Sequence, residues 1–172
     1  GSASEILKER DNNIKMISFQ EEKPYIEGTK KPVKLSMLEQ SLDYLPEKMN
    51  MFYDKLKICF EKFKVNINET LSDGQVLPYC GGITVIHTPG HTVGSICIYC
   101  EEEKMLFSGD TMFKGSWGRT DLPTSNFEDI INSITNKLMI LPEDVIVYPG
   151  HGRPTRIVDE EPIYLELKAQ NY

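Results

Sequence analysis

Apolar residues recur along this chain with two periods, and the period changes near Phe63. Before that point the spacing is helical. Leu38, Leu42 and Leu45 fall on one stripe; Met49, Phe52, Leu56 and Cys59 fall on a second. Side chains three and four residues apart share a helix face, so the pattern predicts two helices within Leu35 to Phe60. Pro46 marks the break between them, because proline lacks the N–H that an unbroken helix needs. Both stripes are expected to pack against the core. Upstream, Ser2 or Ser4 is placed to cap a short helix ending at Arg10. Asp11-Asn12-Asn13 reads as a turn. Ile14 to Phe19 reads as a strand leading into a loop or short helix over Glu21 to Lys31.

After Phe63 the pattern is that of strands and tight turns. Lys64 to Ile67 alternates, and Val76-Leu77, Ile83 to Ile86, Ser95 to Cys100 and Met105 to Phe107 are short apolar runs. Ser72-Asp73-Gly74, Cys80-Gly81-Gly82 and the charged Glu101 to Lys104 separate them as turns. Ile130, Ile131, Ile134 and Leu138 return to helical spacing within Phe127 to Leu141, with Ser125 or Asn126 as the cap. Val145 to Tyr148 is the last buried strand, and a helix over about Glu160 to Ala169 follows. Helices interleaved with strands predict an α/β (α+β) fold, in one domain over residues 1–172.

Composition narrows the function. The 40% hydrophobic fraction suits a soluble globular chain, and a net charge of −7 argues against a broad nucleic-acid footprint or an anionic membrane surface. No apolar run reaches transmembrane length. Cys97 and Cys100 lie three apart in a strand and so face opposite sides. The four cysteines therefore read as reduced thiols of a cytoplasmic protein.

The chemistry sits in three segments. The three histidines of the chain are His87, His91 and His151. His91 and His151 each follow Pro-Gly, and Asp110 follows Ser-Gly, each after a strand-like run. Glycine lets the chain turn sharply at a strand end, so that the next side chain can point across the end of the sheet. Imidazole nitrogen and carboxylate oxygen suit zinc or a similar first-row metal. One carboxylate between two histidines can bridge two ions, which together activate a water and polarise a carbonyl. His87, four residues before His91, is assigned to hydrogen bonding within the turn, with direct metal ligation as the alternative.

Four segments carry a family resemblance: Ile86-His87-Thr88-Pro89-Gly90-His91-Thr92-Val93-Gly94-Ser95, Phe107-Ser108-Gly109-Asp110-Thr111-Met112-Phe113, Gly118-Arg119-Thr120-Asp121-Leu122-Pro123 and Val147-Tyr148-Pro149-Gly150-His151-Gly152. In order and spacing the chain resembles the metallo-β-lactamase superfamily, and within it the glyoxalase II-like (hydroxyacylglutathione hydrolase-like) hydrolases. The resemblance implies an αββα sandwich with metals at one edge of the sheets. It makes His91, Asp110 and His151 metal ligands, with Asp110 the catalytic bridge, and it places Arg119 where related enzymes contact a substrate carboxylate. An ion pair with Asp121 is the alternative for Arg119. The implied cofactor is zinc, two ions in the complete protein, with iron or manganese as alternatives. The implied reaction is cleavage of a small-molecule thioester or ester by metal-bound hydroxide. The family's His-x-His-x-Asp-His segment is absent, since no histidine precedes His87. The chain is therefore expected to be the C-terminal portion of the complete fold, N-terminally incomplete, inactive alone and prone to form a homo-oligomer. Two alternatives remain: a persulfide dioxygenase-like iron enzyme, sharing Gly118-Arg119-Thr120-Asp121, and a non-catalytic binding or assembly module.

Overall fold

The computed structural model describes residues 14–170, with side chains described as far as Leu165. The helix expected up to Arg10 and the turn at Asp11 to Asn13 lie outside the described residues. The chain divides into two compact units, with the boundary between Thr70 and Leu71.

In the first unit, strand β1 (Ile17–Phe19) leads into helix α1 (Lys23–Ile26), α2 (Val33–Gln40), a 3-10 turn (Leu42–Tyr44) and α3 (Glu47–Lys62). The break near Pro46 is where the pattern puts it, and Pro46 is the N-cap of α3. Its carbonyl accepts bonds from the Met49 and Asn50 amides at 2.8 and 3.1 Å.

The buried face of α3 differs from the expected one. Met49 and Phe52 are both 37% exposed, whereas Tyr53 is 6% exposed and Leu56 and Phe60 are half-buried. The helix is rotated by one position, so that Tyr53, Leu56 and Phe60 share the inner face. The Tyr53 hydroxyl donates to Glu39 Oε1 at 3.3 Å, and α2 turns Leu35, 3% exposed, inward. A phenol that must reach a polar partner from a buried position sets a helix's rotation more strictly than a thioether does.

Lys64 to Ile67 is also not a strand. Val65 and Ile67 are buried in alternation, but their amides bond the Ile26 carbonyl at 3.3 Å and Glu27 Oε1 at 2.9 Å. Those acceptors, on a segment far upstream in sequence, take the place of a strand partner. The strand begins later, as β2 (Glu69–Leu71), and pairs with β1.

The second unit is built on a six-stranded sheet. Its elements are β3 (Val76–Leu77), β4 (Ile83–His87), β5 (Ile96–Cys100), β6 (Met105–Gly109), a hairpin of β7 (Met112–Phe113) and β8 (Ser116–Trp117), α4 (Phe127–Ser133), β9 (Ile146–Pro149), β10 (Thr155–Arg156) and α5 (Ile157–Gln170). The sheet order is β10-β9-β6-β5-β4-β3. Among the described pairings of this sheet, only β6 and β9 run in parallel. That connection needs a crossover, which α4 and the π-helical turn Ile134–Leu138 supply. Asn126, rather than Ser125, caps α4, accepting the Asp129 amide at 3.0 Å. The two-residue strands β7, β8 and β10 are not marked in the sequence as separate runs between turns.

One face of this sheet is the core. Cys97, Tyr99, Leu106 and Val147 pack against Ile130, Ile131, Ile134, Leu138, Ile157 and Tyr164. On the other face Val85, Ile98, Phe107 and Tyr148 stand in register across four strands. Phe107 stacks on Tyr148 with ring centroids 5.6 Å apart and is 48% exposed, whereas Leu106 is fully buried.

The two faces predict unequal costs. Leu106→Ala opens a cavity and should lower stability by about 3 kcal/mol. Phe107→Ala removes a half-exposed ring and should cost about 1 kcal/mol. Urea unfolding followed by the Trp117 fluorescence measures both; equal losses would contradict the assignment of the core to the Leu106 face.

Candidate metal centre

His91 stands on a turn that only glycine permits. Gly90 has φ +140, and a Cβ there would overlap the backbone of Ile130 at the start of α4. The turn is tied to the same helix by Asn126 N to Gly90 O at 2.8 Å and Ser133 Oγ to Pro89 O at 2.8 Å. A second bond orients the imidazole. His91 Nδ1 donates to the Arg119 carbonyl at 3.0 Å, and a carbonyl can only accept. The proton therefore sits on Nδ1 and the lone pair on Nε2, the arrangement a metal-binding histidine needs.

Asp110 follows the irregularity in β6 between Phe107 and Gly109. Its carboxylate lies between the other two predicted residues. Oδ2 is 3.7 Å from His91 Nε2, and Oδ1 is 3.7 Å from His151 Nε2. The Pro149-Gly150-His151 turn closes onto it through Gly150 N to Gly109 O at 2.7 Å. A Cβ on Gly150 would fall 2.5 Å from Asp110 Oδ1. One on Gly118 would overlap the Asp110 carbonyl oxygen and lie 3.1 Å from His91 Cβ. Neither role of Gly118 or Gly150 is legible in sequence, where both look like ordinary turn glycines. Across the His151 ring, Phe113 stacks at 4.4 Å and 29°.

The spacing fits a metal ion better than direct contact. A gap of 3.7 Å is too long for a hydrogen bond. It is close to the ~3.4 Å edge of a tetrahedron drawn round zinc with bonds of about 2.1 Å. The two oxygens of Asp110 point to two different imidazoles, so the trio offers two donors at each of two positions. A zinc site uses three or four protein ligands, and among the described residues no group of three or more His, Cys, Asp or Glu side chains is placed to hold a metal ion by itself.

His87 holds the turn, as its position before His91 suggested. Its Nε2 is 2.9 Å from the Val93 carbonyl, and its amide donates to Asp73 Oδ1 at 2.7 Å. Lys137 Nζ joins Asp73 Oδ2 at 2.8 Å to the His87 carbonyl at 2.7 Å. Partial burial pushes the Asp73 carboxyl up, but the bonds from Lys137 and the His87 amide overcome it and hold it below its ordinary range. Arg119 divides its roles. Its carbonyl orients His91, while its exposed guanidinium forms a two-bond pair with Asp121 at 2.7 and 2.6 Å.

Beneath these turns lies a buried polar layer that the sequence did not reveal. Thr88 Oγ1 is 3.0 Å from Thr111 Oγ1 and 3.4 Å from Cys97 Sγ. Ser108 Oγ donates to the Met112 carbonyl at 2.7 Å. Thr88, Cys97, Ser108 and Thr111 are all at most 1% exposed. The layer joins the strand end before His91 to the loop that carries Asp110. Burial pushes the Cys97 thiol up to about 11, against the weaker pull of its bonds to Thr88 and Thr111.

The chain is similar to known proteins over these residues. Residues 13–151 match the family model described as metallo-beta-lactamase superfamily. The chain is 37% identical over 123 residues to the hydroxyacylglutathione hydrolase GloC of Haemophilus influenzae, a match covering 67% of this chain and 58% of GloC. It is 46% identical over 78 residues to a probable metallo-hydrolase of Streptococcus pyogenes, covering 45% of this chain and 34% of that protein. The matches thus span between a third and three fifths of the length of these curated relatives. Among solved structures, TTHA1623 in a di-iron-bound form superposes with a TM-score of 0.67 at 26% identity, covering 94% of this chain and 68% of that one.

The buried layer yields a test. At pH 8 a disulfide reagent should modify the exposed Cys59 and Cys80 and leave Cys97 intact until the chain unfolds. Thiolate forms on Cys97 only towards pH 11, so the protection should persist to about pH 10. Rapid labelling of Cys97 in the folded protein, read by mass spectrometry, would overturn the placement of this layer in the core.

Proposed function

The chain belongs to the metallo-β-lactamase superfamily, and from that premise we propose that it is a metal-binding part of a glyoxalase II-like hydrolase acting on a small-molecule thioester or ester. The observation that carries this reading is the Asp110 carboxylate, which turns one oxygen to His91 and the other to His151 at equal distances. The similarity to GloC supports the glyoxalase II-like assignment.

In this reading His91, Asp110 and His151 hold the metal. Two zinc ions are proposed for the complete protein; the di-iron form of TTHA1623 makes iron the alternative, with manganese behind it. When bound, the metal supplies an activated water and a Lewis acid for the substrate carbonyl. The protein's own groups do the rest. Asp110 balances cationic charge at both positions, which a neutral side chain cannot do. The bond from His91 to the Arg119 carbonyl leaves Nε2, 3.7 Å from Asp110 Oδ2, free to take a metal beside that carboxylate. The Arg119 side chain is proposed to receive a substrate carboxylate. It must first leave Asp121, and an exposed pair opens at little cost.

Two further expectations stay within the proposal. Phe107 and Ile146, 48% and 38% exposed on the sheet face away from the core, support association of copies of this chain. Among the described residues no helix is long and apolar enough to cross a membrane, and a cytoplasmic location is proposed on cysteine usage alone.

The test joins the chain to an N-terminal segment ending in His-x-His-x-Asp-His. The joined protein should bind zinc and hydrolyse a lactoyl-thiol, while the chain alone should bind metal weakly and turn over little. Asp110→Asn should lower the rate by more than the ~10–100-fold expected for loss of a supporting contact. His87→Asn should cost much less, since that side chain serves the turn. Zinc binding without any ester or thioester turnover would end the hydrolase reading in favour of a binding module. Iron content with oxygen uptake would favour a persulfide dioxygenase-like enzyme.

A further inference from the structure

His91 is oriented by a hydrogen bond to a backbone carbonyl; His151, with its side chain 72% exposed, has a ring stacked on it. Phe113 lies against its imidazole at 4.4 Å and 29°, and Phe113 belongs to the β7–β8 hairpin. That hairpin is short. Only Met112 with Trp117 and Phe113 with Ser116 pair within it, and an isolated two-stranded ribbon of that length has no stability of its own. The Ser108 hydroxyl, at 2.7 Å from the Met112 carbonyl, and the Gly118 amide, at 3.2 Å from the Thr111 carbonyl, hold its base; the far end of the chain holds its tip.

Glu160 is in the first turn of α5 and is 2% exposed. Its Oε2 accepts the Gly115 amide at the hairpin tip at 2.6 Å, and its Oε1 accepts the Thr155 hydroxyl at 2.6 Å. One turn on, the Tyr164 hydroxyl donates to the Ser116 carbonyl at 2.6 Å. No cation pairs with Glu160 among the ion pairs of the described residues. A carboxylate buried without a cation is costly, and it is tolerated where its oxygens accept good hydrogen bonds. Two donors from two separate segments, β10 and the hairpin, meet that need.

We propose that Glu160 is a positioning residue for the candidate metal centre: it grips the Gly115 amide, seats the Met112–Trp117 hairpin, and so sets Phe113 against His151 and fixes the imidazole's distance from Asp110. Its consequence for metal affinity rests on the hydrolase reading above. Its effect on the His151 ring does not. The arrangement puts α5, remote in sequence, in control of one ligand while His91 answers to Gly118, Arg119 and α4.

The experiment is NMR of the three histidine rings in the metal-free chain, with zinc affinity from chelator competition as a second readout. In the wild type the Phe113 ring should give an NOE to His151 and shift its ring protons upfield. Glu160→Ala should abolish the NOE and move the His151 resonances towards those of a free imidazole, leaving His87 and His91 in place. Glu160→Gln keeps an acceptor for the Gly115 amide and should restore most of the wild-type spectrum. In a Phe113→Leu background, Glu160→Ala should move His151 little further, because both act through the same ring. Zinc affinity should fall by roughly 10–100-fold in Glu160→Ala.

An unmoved His151 would overturn the proposal. So would a common shift of all three histidines, which marks general loosening, or a failure of Glu160→Gln to rescue. If Glu160→Ala does not fold, Thr155→Val, which removes one of the carboxylate's two donors, takes its place with the same expected direction. If the wild type binds no zinc, the hydrolase reading falls, and the ring spectra still decide the role of Glu160.

Discussion

A side chain as small as alanine's has no room at Gly90, Gly118 or Gly150. The first presses the His91 turn against the backbone of α4. The second lies on the Asp110 carbonyl, and the third lies on its carboxylate. The candidate site depends on this close approach of chain segments, because imidazoles on separate loops reach one carboxylate only if the loops nearly touch. The constraint is steric, and so it is absolute in a way that a hydrogen bond is not. A lost hydrogen bond can be replaced by water, but a Cβ inside a carbonyl oxygen forces the backbone apart.

Close approach alone would leave the turns free to slide, and the polar layer beneath them prevents this. The Thr88 and Thr111 hydroxyls meet 3.0 Å apart out of contact with water, where an unmet hydroxyl would be costly. Each hydroxyl therefore holds the other in place, and with it the strand end before His91 and the loop of Asp110. The apolar cluster of Leu106, Val147, Ile130 and Ile134 supplies the burial that keeps this layer dry. Its contribution is not directional. Direction comes from the hydroxyls, from Ser133 and Asn126 on α4, and from Glu160 and Tyr164 on α5.

The first unit shows how a local pattern can name an element and still misjudge its surroundings. The break at Pro46 depends on one missing N–H, a property of the residue itself, and it appears where expected. The buried face of α3 depends on what lies opposite, and Tyr53 with its bond to Glu39 takes the place assigned to Phe52. Lys64 to Ile67 likewise has the alternation of a strand, yet Ile26 and Glu27 satisfy its amides before a ladder can form.

For the candidate site the division is similar. Sequence alone determined that His91, Asp110 and His151 each sit just past a strand and a glycine, because strand runs and turn residues are written locally. It also showed that Pro-Gly precedes both outer histidines and favoured a turn role for His87, which the bond to the Val93 carbonyl bears out. Only the tertiary structure decided that the two carboxylate oxygens of Asp110 face different imidazoles, that the Arg119 carbonyl fixes the His91 tautomer while its guanidinium engages Asp121, and that Phe113 and Glu160 stand behind His151. Those relations join residues tens of positions apart, and no local period or motif encodes a distance between segments. It is set when the sheet order brings β6 beside β9 and the glycines let the loops at its end close together.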